Sequence, residues 1–278
     1  MSVVEVPTMV VPVRMKPKGR VATNVLASEW TKMRSVRSTY WTLLAAAVLT
    51  IGLSAIVCAV YVAQYAHLSA KDRIGFNAAS TSLTGGVLAR LAIAVLGVLV
   101  ITSEYGSGMI RTTFAAVPQR LTVLAAKAAV FAVVTLEVTM VACFIAFFTG
   151  QAILSTKGIG VTIDSPNALR TVVGTSVYLT VLGLLALGIG ALIRRTAGAI
   201  TAVVGMIFVL PGLAALLPSS LDAVPKFLPS NAGQAIIGES SRSGSPAGLS
   251  PWVGLGVFIL YAIAALLAAA FTIVRRDA

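Results

Sequence analysis

The chain has 278 residues, 58% of them hydrophobic and only 11% charged, with a formal net charge of +12. A soluble domain carries about twice that share of charged residues, so the composition excludes an ordinary soluble protein and points to an all-α polytopic membrane protein. The basic surplus fits loops on one side of a bilayer rather than a nucleic-acid footprint, because no aromatic-basic RNA-binding pattern and no DNA-binding unit is visible.

Residues 1–22 contain Pro7, Pro12, Pro17 and several basic residues but no continuous apolar core, and they read as a flexible cytoplasmic tail rather than a signal peptide. Over residues 23–38, Leu26, Trp30, Met33 and Val36 or Arg37 recur on one helical face. This predicts an interfacial helix capped by Thr23 or Asn24, with Trp30 at headgroup level and Lys32, Arg34 and Arg37 available to anionic lipid.

Six apolar runs follow, at about 40–65, 81–103, 121–150, 168–193, 197–217 and 251–274, each long enough for the ~20 residues that cross a bilayer. They form a transmembrane domain over 40–274 with a short cytoplasmic tail at 275–278. The third run exceeds what a span needs, so it tilts or extends beyond the hydrocarbon.

Arg14, Lys16, Lys18, Arg20, Lys32, Arg34, Arg37, Arg111, Arg120, Lys127, Arg194, Arg195, Arg275 and Arg276 fall on one side of these runs. Lys71, Arg73, Lys157, Arg170, Lys226 and Arg242 fall on the other. The bias places both termini in the cytoplasm, in agreement with an even number of spans. Of the outer connections, 218–250 is the longest. Its first half, PSSLDAVPKFLPSNAGQAII, has a Pro229-Ser230-Asn231 start for a short helix through Ala232, Ala235, Ile236 and Ile237, apolar enough to re-enter the outer leaflet as a lid. Its second half, SSRSGSPAG, reads as flexible.

Between the second and third runs lies ITSEYGSGMIRTTFAAVPQR, residues 101–120. Met109, Ile110, Phe114 and Val117 share a helical face, Gly106 and Gly108 loosen the start, and Pro118 ends it. A short amphipathic helix slung between two spans is expected, with Glu104 and Arg111 as single charges that a partner could read.

Two charges fall within the runs, Arg90 and Glu137. Counted from the cytoplasmic ends of adjacent antiparallel helices both lie near 20 Å deep at 1.5 Å per residue, and they are expected to pair or to line a polar path. Cys58 and Cys143 sit in apolar runs and read as packing residues, and with one histidine, His67, no metal site is expected. No GxxxxGK[ST], HExxH, GxSxG or paired-carboxylate motif occurs, so no catalytic residues are assigned and the chain is not expected to be an enzyme.

SEWTKMRSVRSTYWTL at 28–43, SEYGSGMIRTTFAAVPQR at 103–120 followed by AAK at 125–127, and LPSNAGQAI at 228–236 together resemble the permease subunits of type-2 ATP-binding-cassette exporters of the bacterial drug- and antibiotic-resistance kind. The resemblance implies a plasma-membrane protein in which two such permease units, identical or related, form the pathway over two separate ATPase subunits. Those partners would bind Mg-ATP, leaving this chain without a cofactor. It implies that the Glu104 region, with Tyr105, Gly108, Met109, Ile110, Arg111, Phe114 and Pro118, is the coupling helix seated in the ATPase, and that the 23–38 helix is the connecting helix beside it. Family members carry threonine where Met109 stands. On this reading Met109, Ile110 and Phe114 supply apolar contact to the ATPase, Glu104 and Arg111 supply charge-assisted bonds, and the cargo is a hydrophobic or amphipathic compound. The competing readings are a non-transporting membrane anchor that recruits a soluble protein through the same helix, and an ion-coupled carrier, for which two intramembrane charges are few.

Overall fold

The computed structural model describes residues 18–67, 73, 76–214, 216, 223–238 and 248–275, with side chains from 22 onward. The expected tail at 1–17, Lys71, nearly all of the SSRSGSPAG segment and the C-terminal residues 276–278 lie outside the described residues. Every regular element among the described residues is helical. In chain order these are α1 (Lys18–Ser35), α2 (Arg37–Gln64), α3 (Ala78–Thr81), α4 (Gly86–Gly106), α5 (Met109–Ala116), α6 (Arg120–Ser155), α7 (Ala168–Ile193), α8 (Thr196–Ala214), α9 (Ala223–Phe227), α10 (Pro229–Gln234) and α11 (Pro251–Arg275).

Six of them, α2, α4, α6, α7, α8 and α11, are long and apolar enough to cross a membrane, compatible with a multi-pass membrane protein. Their bounds follow the six apolar runs to within a few residues. The largest shifts are five residues, at the start of α4, Gly86 rather than Thr81, and at the end of α6, Ser155 rather than Gly150. Asn77 caps α3 by accepting from the Ser80 N–H at 3.1 Å, and the turn that follows occupies residues 82–85.

α7 is the axis of the bundle. Its most apolar stretch is 78% buried, against 22% for α8 and 28% for α11, and it packs on α4, α6, α8 and α11. α2 lies against both α4 and α6, using a stripe of Thr39, Leu43, Ala46, Thr50, Ser54 and Cys58 at spacings of three and four. α4 and α6 therefore touch little, although they are neighbours in sequence. The bundle has two ends, called proximal (bearing α1, α5 and the α7–α8 turn) and distal.

At the distal end Gln151 of α6 donates to Ala78 O at 3.0 Å and Ser82 Oγ at 2.7 Å and accepts from the Val161 N–H at 2.7 Å, so its buried amide is satisfied. α10 and the 3-10 turn Ala235–Ile237 re-enter the bundle here, with Ala232, Ala235, Ile236 and Ile237 all buried against α7 and α11. This is the expected lid segment, started by Pro229 at the first helical position. Cys58 and Cys143 are buried and unbridged.

At the proximal end α7 stops at Arg194, a non-glycine residue in left-handed conformation (φ 60°), and α8 starts two residues later. Arg194 donates to Thr272 O at 3.4 Å and Arg120 to Ile273 O at 2.9 Å, so two arginines satisfy the last carbonyls of α11 where the helix dipole is negative. Arg120, Lys127, Lys32 and Arg194, all counted on one side in the sequence, thus share one end of the bundle.

α1 begins earlier than its expected cap. Thr23 and Asn24 lie inside the helix, which begins at Lys18, so neither is its cap. Its buried face is Val25 and Glu29, while Leu26 and Trp30 are 39% and 42% exposed. Glu29 meets Lys127 inside the bundle, and the two large apolar side chains of the expected interfacial face are left facing outward. Val36, with extended backbone, makes the corner into α2.

Candidate functional site

Four charged side chains close a ring at the proximal end. Lys127 of α6 reaches Glu29 Oε2 of α1 at 2.5 Å and Glu104 Oε1 of α4 at 2.8 Å. Lys32 of α1 reaches Glu29 Oε1 at 2.6 Å and Glu104 Oε1 at 3.2 Å. Glu29, Glu104 and Lys127 are each at least 96% buried, whereas the Lys32 side chain retains 30% exposure. Two carboxylates and two ammonium groups leave the ring neutral, which is the condition under which charges tolerate such burial. Its bonds are charge-assisted and join residues 98 and 23 apart in sequence.

Local structure explains why these four meet. Glu29 and Lys32 are three apart on α1 and so share a face. Glu104 lies in the last turn of α4, and Lys127 is in the second turn of α6. Burial alone would lower the pKa of Lys32, but the hydrogen bond it donates to Glu29 and the charges of Glu104 and Glu29 outweigh it and hold it above its ordinary 10.5. A raised amine pKa contributes stability that is whole below 10.5 and lost as pH climbs through the folded value. Thermal melts at stepped alkaline pH should therefore fall more steeply above pH 10.5 for the native chain than for Lys32→Gln. Parallel curves would show that Lys32 adds nothing to the ring.

Between Glu104 and Lys127 the chain makes α5. Gly108 sits at φ 74°, a left-handed conformation that glycine adopts without penalty, and turns the backbone from α4 into the short helix. Val117 and Pro118 end it before α6 starts at Arg120. Ile110 is 3% exposed, and Phe114 packs on the core beneath the Arg120 guanidinium, 5.5 Å from its ring centroid. The outward face of α5 is Met109, Arg111, Thr112, Ala115 and Ala116.

Several expectations are corrected by this geometry. Glu104 is no exposed charge: it belongs to the long helix α4, not to the short one, and two lysines hold it inside. The apolar face of α5 is largely covered by this chain, with Ile110 buried and Phe114 half-buried on the core, while Gly108, Met109, Arg111 and Pro118 of the expected coupling residues are exposed. Tyr105 is half-buried under Arg194, 5.2 Å from its ring centroid. Arg34 and Arg37 are exposed.

Arg90 and Glu137 are not brought together. Arg90 is 7% exposed and lies over the Tyr178 ring of α7 at 5.2 Å, while Glu137 is exposed on α6. α2 stands between their helices. Glu137 also shares a cavity with Trp30, Tyr40 and Leu43, which puts it level with the start of α2 and not deep in a span. The count from helix ends fails because α6 starts well short of α2: Arg120 to Glu137 covers about 26 Å at 1.5 Å per residue. This overhang carries α1.

Glu29 and Lys127 are the ring members that sequence reasoning passed over. A lone lysine a few residues into an apolar run requires a carboxylate, and Glu29 with Lys32 three residues later is the matching signal. A group of three or more potential metal ligands is absent among the described residues.

No model of a known protein family matches the chain, and comparison with curated proteins finds no significant relative.

Proposed function

We propose that this chain is the permease subunit of a type-2 ATP-binding-cassette exporter in a bacterial cytoplasmic membrane, driven by separate ATPase subunits through α5. The observation that carries the reading is the ring. It clasps the chain immediately before and after α5 and ties both flanks to α1, which continues through one corner residue into α2. A force applied to the outward face of α5 would move α4, α6 and α2 as a group rather than bend a loop. With no nucleotide-binding motif in the sequence, such a force has to come from another protein.

The clustering of Lys32, Arg120, Lys127 and Arg194 at the end bearing α5 supports a cytoplasmic location for that end and for both termini. The broad exposed apolar faces of α2, α8 and α11, including Trp41, Leu213 and Leu267, leave room for lipid and for a second permease unit across a shared pathway. The cargo on this reading is a hydrophobic or amphipathic compound.

Purification of the full chain from its native membrane in mild detergent, followed by mass spectrometry, should recover an ATPase in stoichiometric amount. Met109→Asp with Arg111→Glu, both on exposed positions, should release it with little change in melting temperature. Recovery of a soluble protein that has no nucleotide-binding motif would replace the exporter with an anchor that recruits it.

A further inference from the structure

We propose that the corner between α1, the start of α2 and the middle of α6 is a binding site for a zwitterionic phospholipid headgroup carrying a primary ammonium, of the phosphatidylethanolamine class. The inference rests on the chain lying in a membrane, not on its coupling to an ATPase.

Glu137 is the starting point. It sits in the apolar sequence of α6 between Val134, Val138 and Val141, and makes no hydrogen bond or ion pair with any described residue. A carboxylate at the edge of a bilayer is costly unless it meets water or a cation. Glu137 faces a cavity of about 170 Å³ lined by Trp30, Arg34, Tyr40 and Leu43 among others. The cavity opens toward the outside of the bundle, so a polar headgroup can enter it while the rest of an amphiphile stays outside.

The lining matches both ends of one headgroup. Trp30 and Tyr40, 42% and 53% exposed, line the cavity with aromatic side chains suited to an ammonium, and the Glu137 carboxylate can accept its N–H bonds. Arg34, also exposed and unbonded among the described residues, stands on the same cavity and suits a phosphate. A quaternary ammonium would use the aromatic faces but has no N–H to give Glu137, which favours the primary amine. The level is right as well: Tyr40 and Trp41 open α2, where aromatic side chains settle at a membrane surface. Below them Leu44 and Val48 of α2 and Val141 and Ile145 of α6, all exposed, provide apolar surface for the acyl chains.

The test uses the full chain in mild detergent with equimolar phosphatidylethanolamine and phosphatidylglycerol of identical acyl chains, read by native mass spectrometry. The native chain should retain one phosphatidylethanolamine per chain, preferred at least about fivefold, as one charge-assisted contact warrants. Glu137→Gln should bring the two lipids to parity, and Arg34→Gln should weaken both. No preference in the native chain, or a preference that survives Glu137→Gln, overturns the site. Retention of phosphatidylcholine equal to that of phosphatidylethanolamine overturns the hydrogen-bonded ammonium, and displacement by millimolar soluble phosphoethanolamine overturns lipid as the occupant. Should Glu137→Gln not fold, Tyr40→Leu removes one aromatic face with the carboxylate kept and should reduce the same preference.

Discussion

Lys127→Met should cost the folded chain about 3–5 kcal/mol, because it leaves Glu29 and Glu104 buried with only the partly exposed Lys32 between them. The loss should appear as a fall in melting temperature on the order of 10 °C for a chain of this size, measured by fluorescence in detergent. The informative comparison is with the double change. Lys127→Met together with Glu104→Gln removes one charge of each sign and leaves Glu29 paired with Lys32 at 2.6 Å, so most of the lost stability should return. Glu104→Gln alone should be the milder single change, since a neutral amide leaves no negative charge unpaired and Lys127 keeps Glu29. If Lys127→Met melts like the native chain, the ring does not hold the proximal end and the route from α5 to α2 loses its fastening.

How far the sequence anticipates this molecule depends on whether the determining interaction is local. Each of the six long helices is specified by a run of some twenty apolar residues, and Gly108 and Pro118 mark the ends of α5 within a few positions of themselves. The lid is similarly legible, since Pro229 starts α10 and the apolar residues after it have nowhere to go but inward. What failed depends on partners far along the chain. α1 turns Val25 and Glu29 inward because Lys127, 98 residues away, neutralises Glu29, and no local pattern announces that pairing.

Ile110, expected to face a partner, is buried in this chain for a related reason, with Phe114 half-buried beside it. An amphipathic pattern says that a face is covered and not by what, and here the chain's own core and the α1–α6 cluster of Val25, Val123 and Ala126 cover it. Arg90 and Glu137 illustrate a third kind of miss. Their depths were counted as though all spans began at one level, whereas α6 runs far past the start of α2 and carries Glu137 back to the level of Tyr40.

The same bundle brings α4 and α7 into close approach at Gly97, and Gly97→Val should abolish the native packing. A methyl group there would lie 2.3 Å from the carbonyl oxygen of Gly183 and 3.1 Å from the Ala186 side chain. The obstacle is backbone of α7, which cannot rotate away as a side chain would. A Cβ at Gly183 would in turn meet Phe131 of α6 at 2.5 Å, so α7 cannot retreat from α4 without disturbing its other neighbour. Close approach of small residues is what holds apolar helices together in lipid, where hydrophobic burial between them offers little. The variant should therefore insert its helices but lose the monodisperse, cooperatively melting species on extraction. Gly52→Val and Gly256→Val are the matched controls: both glycines lie in long helices with nothing within 4 Å of an added Cβ, and both variants should stay within about 0.5 kcal/mol of the native chain. Because Glu104 lies in the last turn of α4 and α7 ends at the Arg194 turn, separating them at Gly97 should also loosen the proximal ring. A variant that packs normally would mean α4 and α7 are free to part, and motion of the ring could then pass through their interface instead of along the helices as rigid bodies.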